Sequence, residues 1–169
     1  MENSITINWL ALGVAALIPF VTGFIYYGPK TMGKIWQREE GLSDEQIKSA
    51  NMGMIMGVSL IFNFLIAFML QTIVIHQFGM FSALIDPTIG DLSQESGATF
   101  KMLMEKYGNN FRTFKHGVFH GVLTALFLVF PIIGVNGLFA RKSFKLILIQ
   151  SLYWLITLGL MGGVICMWK

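Results

Sequence analysis

An all-α membrane protein is the fold class this sequence predicts: a four-transmembrane-helix bundle with a short helix before span 2 and an amphipathic surface helix between spans 2 and 3. Three observations carry it. Four stretches, residues 5–27, 52–75, 117–140 and 146–168, each run for more than twenty residues without a charged side chain. About 20 residues at 1.5 Å rise each cross a ~30 Å hydrocarbon core. Charged residues make up only 12% of the chain, against roughly 25% in an ordinary soluble domain. Of 21 Asp, Glu, Lys and Arg residues, 19 lie in the three connectors, with Glu2 and Lys169 at the ends. No span therefore has the wet outer face a soluble helix needs, and residues 1–169 read as a single integral membrane domain.

The first span reads as retained, because residues 1–8 lack a basic flank and no A-x-A cleavage pattern precedes Tyr26. After it, Gly28-Pro29-Lys30-Thr31-Met32-Gly33-Lys34 imitates a phosphate loop up to the last position. There Ile35 replaces the Ser or Thr that would hold magnesium, and a membrane helix precedes where a strand is required. Leu42-Ser43-Asp44-Glu45-Gln46 then reads as a helix start, with Ser43 as N-cap and Gln46 closing a capping box. The short helix is expected to run on into span 2. In the second connector, about residues 82–116, Phe100, Leu103, Met104 and Tyr107 recur at helical spacing until Gly108-Asn109-Asn110 ends the pattern. That helix lies either along the membrane surface or against the ends of the bundle. Pro19 and Pro131 interrupt spans 1 and 3 near their middles.

Glycines four apart, Gly53 and Gly57, Gly117 and Gly121, Gly159 and Gly163, form grooves that admit a close backbone, whether of the same copy or a neighbour. Asn63, Gln71, Asn136 and Gln150 are expected to hydrogen-bond between helices. Trp9, Tyr26, Tyr27, Trp36, Trp154 and Trp168 are expected near span ends, where amphipathic rings prefer the headgroup layer.

A net charge of +3 does not point to nucleic acid, because the basic residues flank membrane spans rather than forming one long run. Anionic lipid is the simpler partner. Orientation follows from the same residues. Lys30, Lys34, Arg38, Lys48, Arg141, Lys142 and Lys145 occupy the odd connectors, against Lys101, Lys106, Arg112, Lys115 and Lys169 on the other side. The expected placement has the odd connectors cytoplasmic and both termini outside. Cys166 stands alone, so no disulfide forms within one copy.

Candidate chemistry is concentrated in histidine. His76 closes span 2, while His116 and His120 open span 3, so all three fall on one side of the membrane. His116 and His120 share a helix face and could reach one metal ion, with His76 or a carboxylate such as Asp86 or Asp91 completing the set. A pH sensor or a haem between two helices would use similar material. Met52 and Met56 share a helix face, but methionine packs readily in apolar surroundings and core packing is the simpler account. The spans hold no Asp, Glu, Lys or Arg of the kind carriers and voltage sensors use, and the connectors show no hydrolytic triad or paired carboxylates. The chain is not expected to be an enzyme, and no cofactor is expected beyond a possible metal ion.

The pieces resemble, in order, the DUF1761 family of small bacterial membrane proteins, whose function is unknown. The likeness rests on Asn8-Trp9, Gly23, Tyr27, Gly33-Lys34, Trp36, Gly41-Leu42-Ser43 and Ala50-Asn51 in the first half. In the second half it rests on Asn136, Phe139, Arg141, Lys142, Ser143, Lys145, Tyr153-Trp154 and Met161-Gly162. The second connector looks longer than the family implies. The resemblance implies a four-helix inner-membrane protein and no particular activity. The Trp36 segment and the turn from Arg141 to Lys145 are expected to meet, making the first connector a candidate docking surface. Two functions follow: a noncatalytic subunit or assembly protein packing on copies of itself or another membrane protein, or a transport or channel component acting as a homo-oligomer. A metal or redox site at the histidines is the third.

Overall fold

The computed structural model describes residues 5–169, so Glu2 and the first residues of the unflanked N-terminal stretch lie outside the described residues. Four helical spans are long and apolar enough to cross a membrane: Trp9–Tyr26, Met52–Val74, Phe114–Phe139 and Phe144–Met167. They form helix α1 (Trp9–Tyr26), α4 (Met52–Val74), the pair α7 (Phe114–Thr124) and α8 (Phe130–Phe139), and α9 (Phe144–Met167). Each span opens on a polar cap: the side chains of Asn8, Asn51, Thr113 and Ser143 accept from the backbone N–H of Ala11, Met54, His116 and Leu146. Such caps satisfy amides that neither the helix nor lipid can.

The two prolines act differently. Pro19 leaves α1 continuous, whereas Pro131 follows a π-turn over Ala125–Val129 that joins α7 to α8. Proline offers no N–H and crowds the carbonyl four residues back, and a wider turn just before it relieves both.

Helix α9 packs against α7, α1, α4 and α8. The tightest contact is with α7. A Cβ on Gly117 would overlap the Gly162 carbonyl oxygen, and one on Gly121 would overlap the Leu158 carbonyl oxygen. Two of the three glycine pairs therefore join helices of the same chain, while Gly57 meets nothing within 4 Å. Around this seam Leu12, Ala15, Ala67, Leu70, Leu158, Met161 and Ile165 form the core.

Hydroxyls tie α1 to α9. Thr22 Oγ1 lies 2.8 Å from Thr157 Oγ1, Tyr153 donates to the Pro19 carbonyl at 2.9 Å, and Tyr26 donates to the Ile149 carbonyl at 2.9 Å. Of the four amides expected to bond between helices, Asn63 and Asn136 take no part in this seam and Asn136 faces outward, whereas Gln150 bonds Glu40 of the first connector. The α1–α9 bonds are made by hydroxyls instead. Trp154 is also corrected: it lies at the middle of α9 beside the core, not near a span end.

The first connector forms α2 (Gly33–Glu40) and α3 (Asp44–Lys48). Glu40 takes Lys142 Nζ at 2.6 Å and Gln150 Nε2 at 2.9 Å, while Glu39 takes Ser143 Oγ at 2.7 Å and Lys145 Nζ at 3.2 Å. The two connectors thus meet, and the Ser143 hydroxyl with the Lys145 ammonium holds the Glu39 carboxyl below its usual range. The Ser43–Gln46 capping box is present. Its helix does not run into span 2, because the Asn51 side chain accepts from Met54 N–H and starts a separate one.

The second connector begins earlier than its composition suggests. It holds α5 (Gln77–Leu84), a two-residue antiparallel ladder of β1 (Ile85–Asp86) and β2 (Asp91–Leu92), and α6 (Gln94–Tyr107). Phe81 of α5 meets Phe100 of α6 edge-on, with ring centroids 5.4 Å apart. Gln77 Nε2 donates to the carbonyls of Tyr107, Gly108 and Asn110, which holds the end of α6 against the bundle.

Candidate metal centre

His76 caps α5 directly after α4 ends, and His116 and His120 stand one turn apart at the start of α7. The Ile75 backbone is extended, which turns the chain so that His76 lies over that first stretch of α7. The three rings form a triangle: centroids lie 4.8 Å apart for His76 and His116, 5.0 Å for His76 and His120, and 4.5 Å for His116 and His120. One ring nitrogen from each lies within 4.8 Å of the others. The His76 and His116 Nε2 atoms are 2.8 Å apart, so one ring donates and the other accepts.

Zn–N bonds of 2.0–2.1 Å at tetrahedral angles set ligand nitrogens about 3.3 Å apart. The observed separations bracket that value, and small ring rotations would bring all three to it. The set fits a metal ion in ligand type as well. Three neutral imidazoles suit Zn²⁺ and its first-row neighbours rather than Mg²⁺ or Ca²⁺, and leave a coordination position open.

Phe111 shields one side, its ring 5.7 Å from His76 and 5.0 Å from His116, and Phe119 meets His120 edge-on at 5.4 Å. Phe111 has φ +62°, in the left-handed region a bulky side chain rarely adopts. Its carbonyl holds the turn by accepting from Thr113 N–H at 2.8 Å and Cys166 Sγ at 3.2 Å. Backbone strain of this kind persists where surrounding contacts fix it.

Sequence reasoning assembled the three histidines but not their setting. Asp86 does not join them. Its carboxylate accepts from Thr88 N–H at 2.8 Å and Thr88 Oγ1 at 2.6 Å, which keeps it below the usual carboxylate range. Asp91 is likewise turned to Leu92 N–H at 2.7 Å. Met52 and Met56 are exposed at the opposite end of α4 from His76. The phosphate-loop imitation is a helix terminus: Thr31 Oγ1 donates to the Ile25 and Tyr26 carbonyls at 2.7 Å each. Phe111 escapes sequence reasoning, and Arg112 counts there only as a connector charge, because nothing in their spacing marks them. Arg112 closes the bundle by donating from Nε to the Cys166 carbonyl at 2.8 Å and from Nη2 to the Trp168 carbonyl at 2.6 Å.

The sequence model of one family, described as a protein of unknown function (DUF1761), matches residues 10–166. That range brackets the second connector, which the resemblance alone had set apart. No curated protein and no solved structure matches the chain. Of the residues that carried the resemblance, Tyr27, Trp36, Tyr153, Ser143 and Lys145 meet toward the end of the bundle away from the histidines, where Tyr27 packs on Trp36 and Tyr153, and Ser143 and Lys145 bond Glu39, whereas Asn8, Trp9 and Gly162 lie toward the histidine end. A match over nearly the whole length, on a helical bundle with four apolar spans, makes this chain a member of the DUF1761 family.

Proposed function

We propose that the protein binds a first-row transition metal ion, Zn²⁺ or a neighbour, through His76, His116 and His120 at one membrane face. The observation that carries this reading is three imidazole nitrogens within 4.8 Å of one another, from His76 at the N-cap of α5 and from His116 and His120 in the first turns of α7. With the odd connectors cytoplasmic, as the basic residues favour, the ion lies on the outer side of a bacterial inner membrane. Protein purified from metal-replete cells in mild detergent is expected to carry about one equivalent of metal per chain by elemental analysis. The His116→Ala, His120→Ala double variant is expected to lose it while keeping the wild-type elution volume and the thermal midpoint of metal-stripped wild-type protein. Metal-free wild-type protein from such cells sinks the reading.

A second reading is favoured by a different observation. Residues 52–62 of α4 expose almost every side chain, with Gly57 open on that face. This supports a noncatalytic subunit that packs there on a second copy or another membrane protein. In native membranes, Gly57→Cys is expected to crosslink to a protein neighbour, and Phe139→Cys, on a span end that is 87% exposed, is not. Equal and negligible crosslinking at both would leave lipid as the only neighbour and end this reading.

A further inference from the structure

A cavity of about 130 Å³ opens at the same end of the bundle, between the start of α1, the end of α4, the start of α5 and the end of α9. Its walls include Phe78 and Trp168, but its polar groups are what distinguish it. Gln71 and Gln77 both line it and are only 2% and 3% exposed. Gln71 Nε2 and Gln77 Oε1 have no hydrogen-bond partner among the described residues. The direction of the Gln77 amide is not arbitrary. Its nitrogen faces the Tyr107, Gly108 and Asn110 carbonyls at 3.3, 3.0 and 3.2 Å, which leaves its oxygen as the unused acceptor.

Arg112 also lines the cavity. Its two backbone contacts use two of five N–H groups, and it makes no ion pair among the described residues. Burial pushes its guanidinium below the ordinary value, yet an arginine stays charged at neutral pH. A buried amide donor, a guanidinium and a buried amide acceptor thus converge on one space. Water would satisfy the amides, since a cavity this size takes about four molecules at ~30 Å³ each, but it brings no negative charge to the half-buried Arg112, which no described residue pairs.

We propose that this cavity binds a small oxyanion that carries a hydroxyl group, of the glycerol phosphate kind, supplied by a free solute or by an anionic phospholipid headgroup. The oxyanion takes Arg112 and Gln71 Nε2, and the hydroxyl donates to Gln77 Oε1. Arginine suits this role because its planar fork matches phosphate and carboxylate oxygens. The site is independent of the histidines and of any metal they hold.

The test uses the full chain in phosphatidylcholine nanodiscs. Glycerol phosphate is expected to raise the thermal midpoint saturably, beyond sodium chloride of equal ionic strength. Gln71→Met keeps the volume and removes only a partnerless amide, so its unliganded midpoint is expected at or above the wild-type value. Its affinity for glycerol phosphate is expected to be weaker by about tenfold or more. In parallel, protein from mixed phosphatidylglycerol and phosphatidylcholine discs is examined by native mass spectrometry. Selective retention of one phosphatidylglycerol by wild type but not by Gln71→Met assigns the site to the headgroup, and a thermal response to free glycerol phosphate assigns it to a solute. The proposal is overturned if neither probe binds folded wild-type protein, or if Gln71→Met binds both as well as wild type does.

Discussion

Gly121→Ala is expected to destabilise the bundle by about 2–4 kcal/mol, at or above the upper end of ordinary overpacking. The added methyl would occupy the position of the Leu158 carbonyl oxygen, and a backbone atom cannot rotate aside as a side-chain tip can. Relief would require α7 to move off α9 along its length, and that would also open the Gly117–Gly162 contact. In lipid no hydrophobic drive between helices offsets this loss, because the tails are as apolar as the side chains. Gly57→Ala is the matched control: its methyl meets nothing within 4 Å, and the change is expected to stay within about 0.5 kcal/mol. Reversible unfolding in mixed micelles would measure both. Equal midpoints for the two variants would mean that α7 and α9 do not touch as described.

Acidification is expected to release the proposed metal sharply. Imidazole binds metal only in its neutral form and takes up its proton between pH 5 and 8, so three such ligands compete with protons together. Apparent affinity is expected to fall by about a hundredfold or more between pH 7.5 and pH 5. Competition with a chromophoric chelator across this range would measure the change. Affinity that holds down to pH 4 would instead point to carboxylate ligands, such as the Asp86 and Asp91 that the fold turns away.

The spans were legible because lipid imposes a simple requirement, a long uncharged helix, and each of the four lies within a few residues of its expected bounds. The Ser43–Gln46 cap was legible for a local reason, since both bonds are made within one turn. The histidine triangle was partly so: spacing placed His116 with His120, and the single connector from the end of span 2 to the start of span 3 brought His76 to the same side. What escaped depends on the third dimension. Nothing local says that Gly117 and Gly121 meet α9 of their own chain, that Thr22 finds Thr157, or that Pro19 offers its carbonyl to Tyr153. Helix α5 escaped because eight residues with a glycine and little amphipathic pattern give weak periodic signal. Arg112 escaped because an arginine in a connector looks like any solvated charge until its two carbonyl acceptors are known.

The position of α9 also bears on how the molecule is made. It follows the other three spans in chain order, yet it supplies the threonine that Thr22 bonds and the backbone that the α7 glycines touch. The earlier helices therefore leave the ribosome and enter the bilayer with their polar and small-residue faces unmatched. Assembly waits on the arrival of the segment that fills these faces, and a nascent chain stalled before it would present the bilayer with spans held only by the α1–α4 and α4–α7 contacts, for proteases to find.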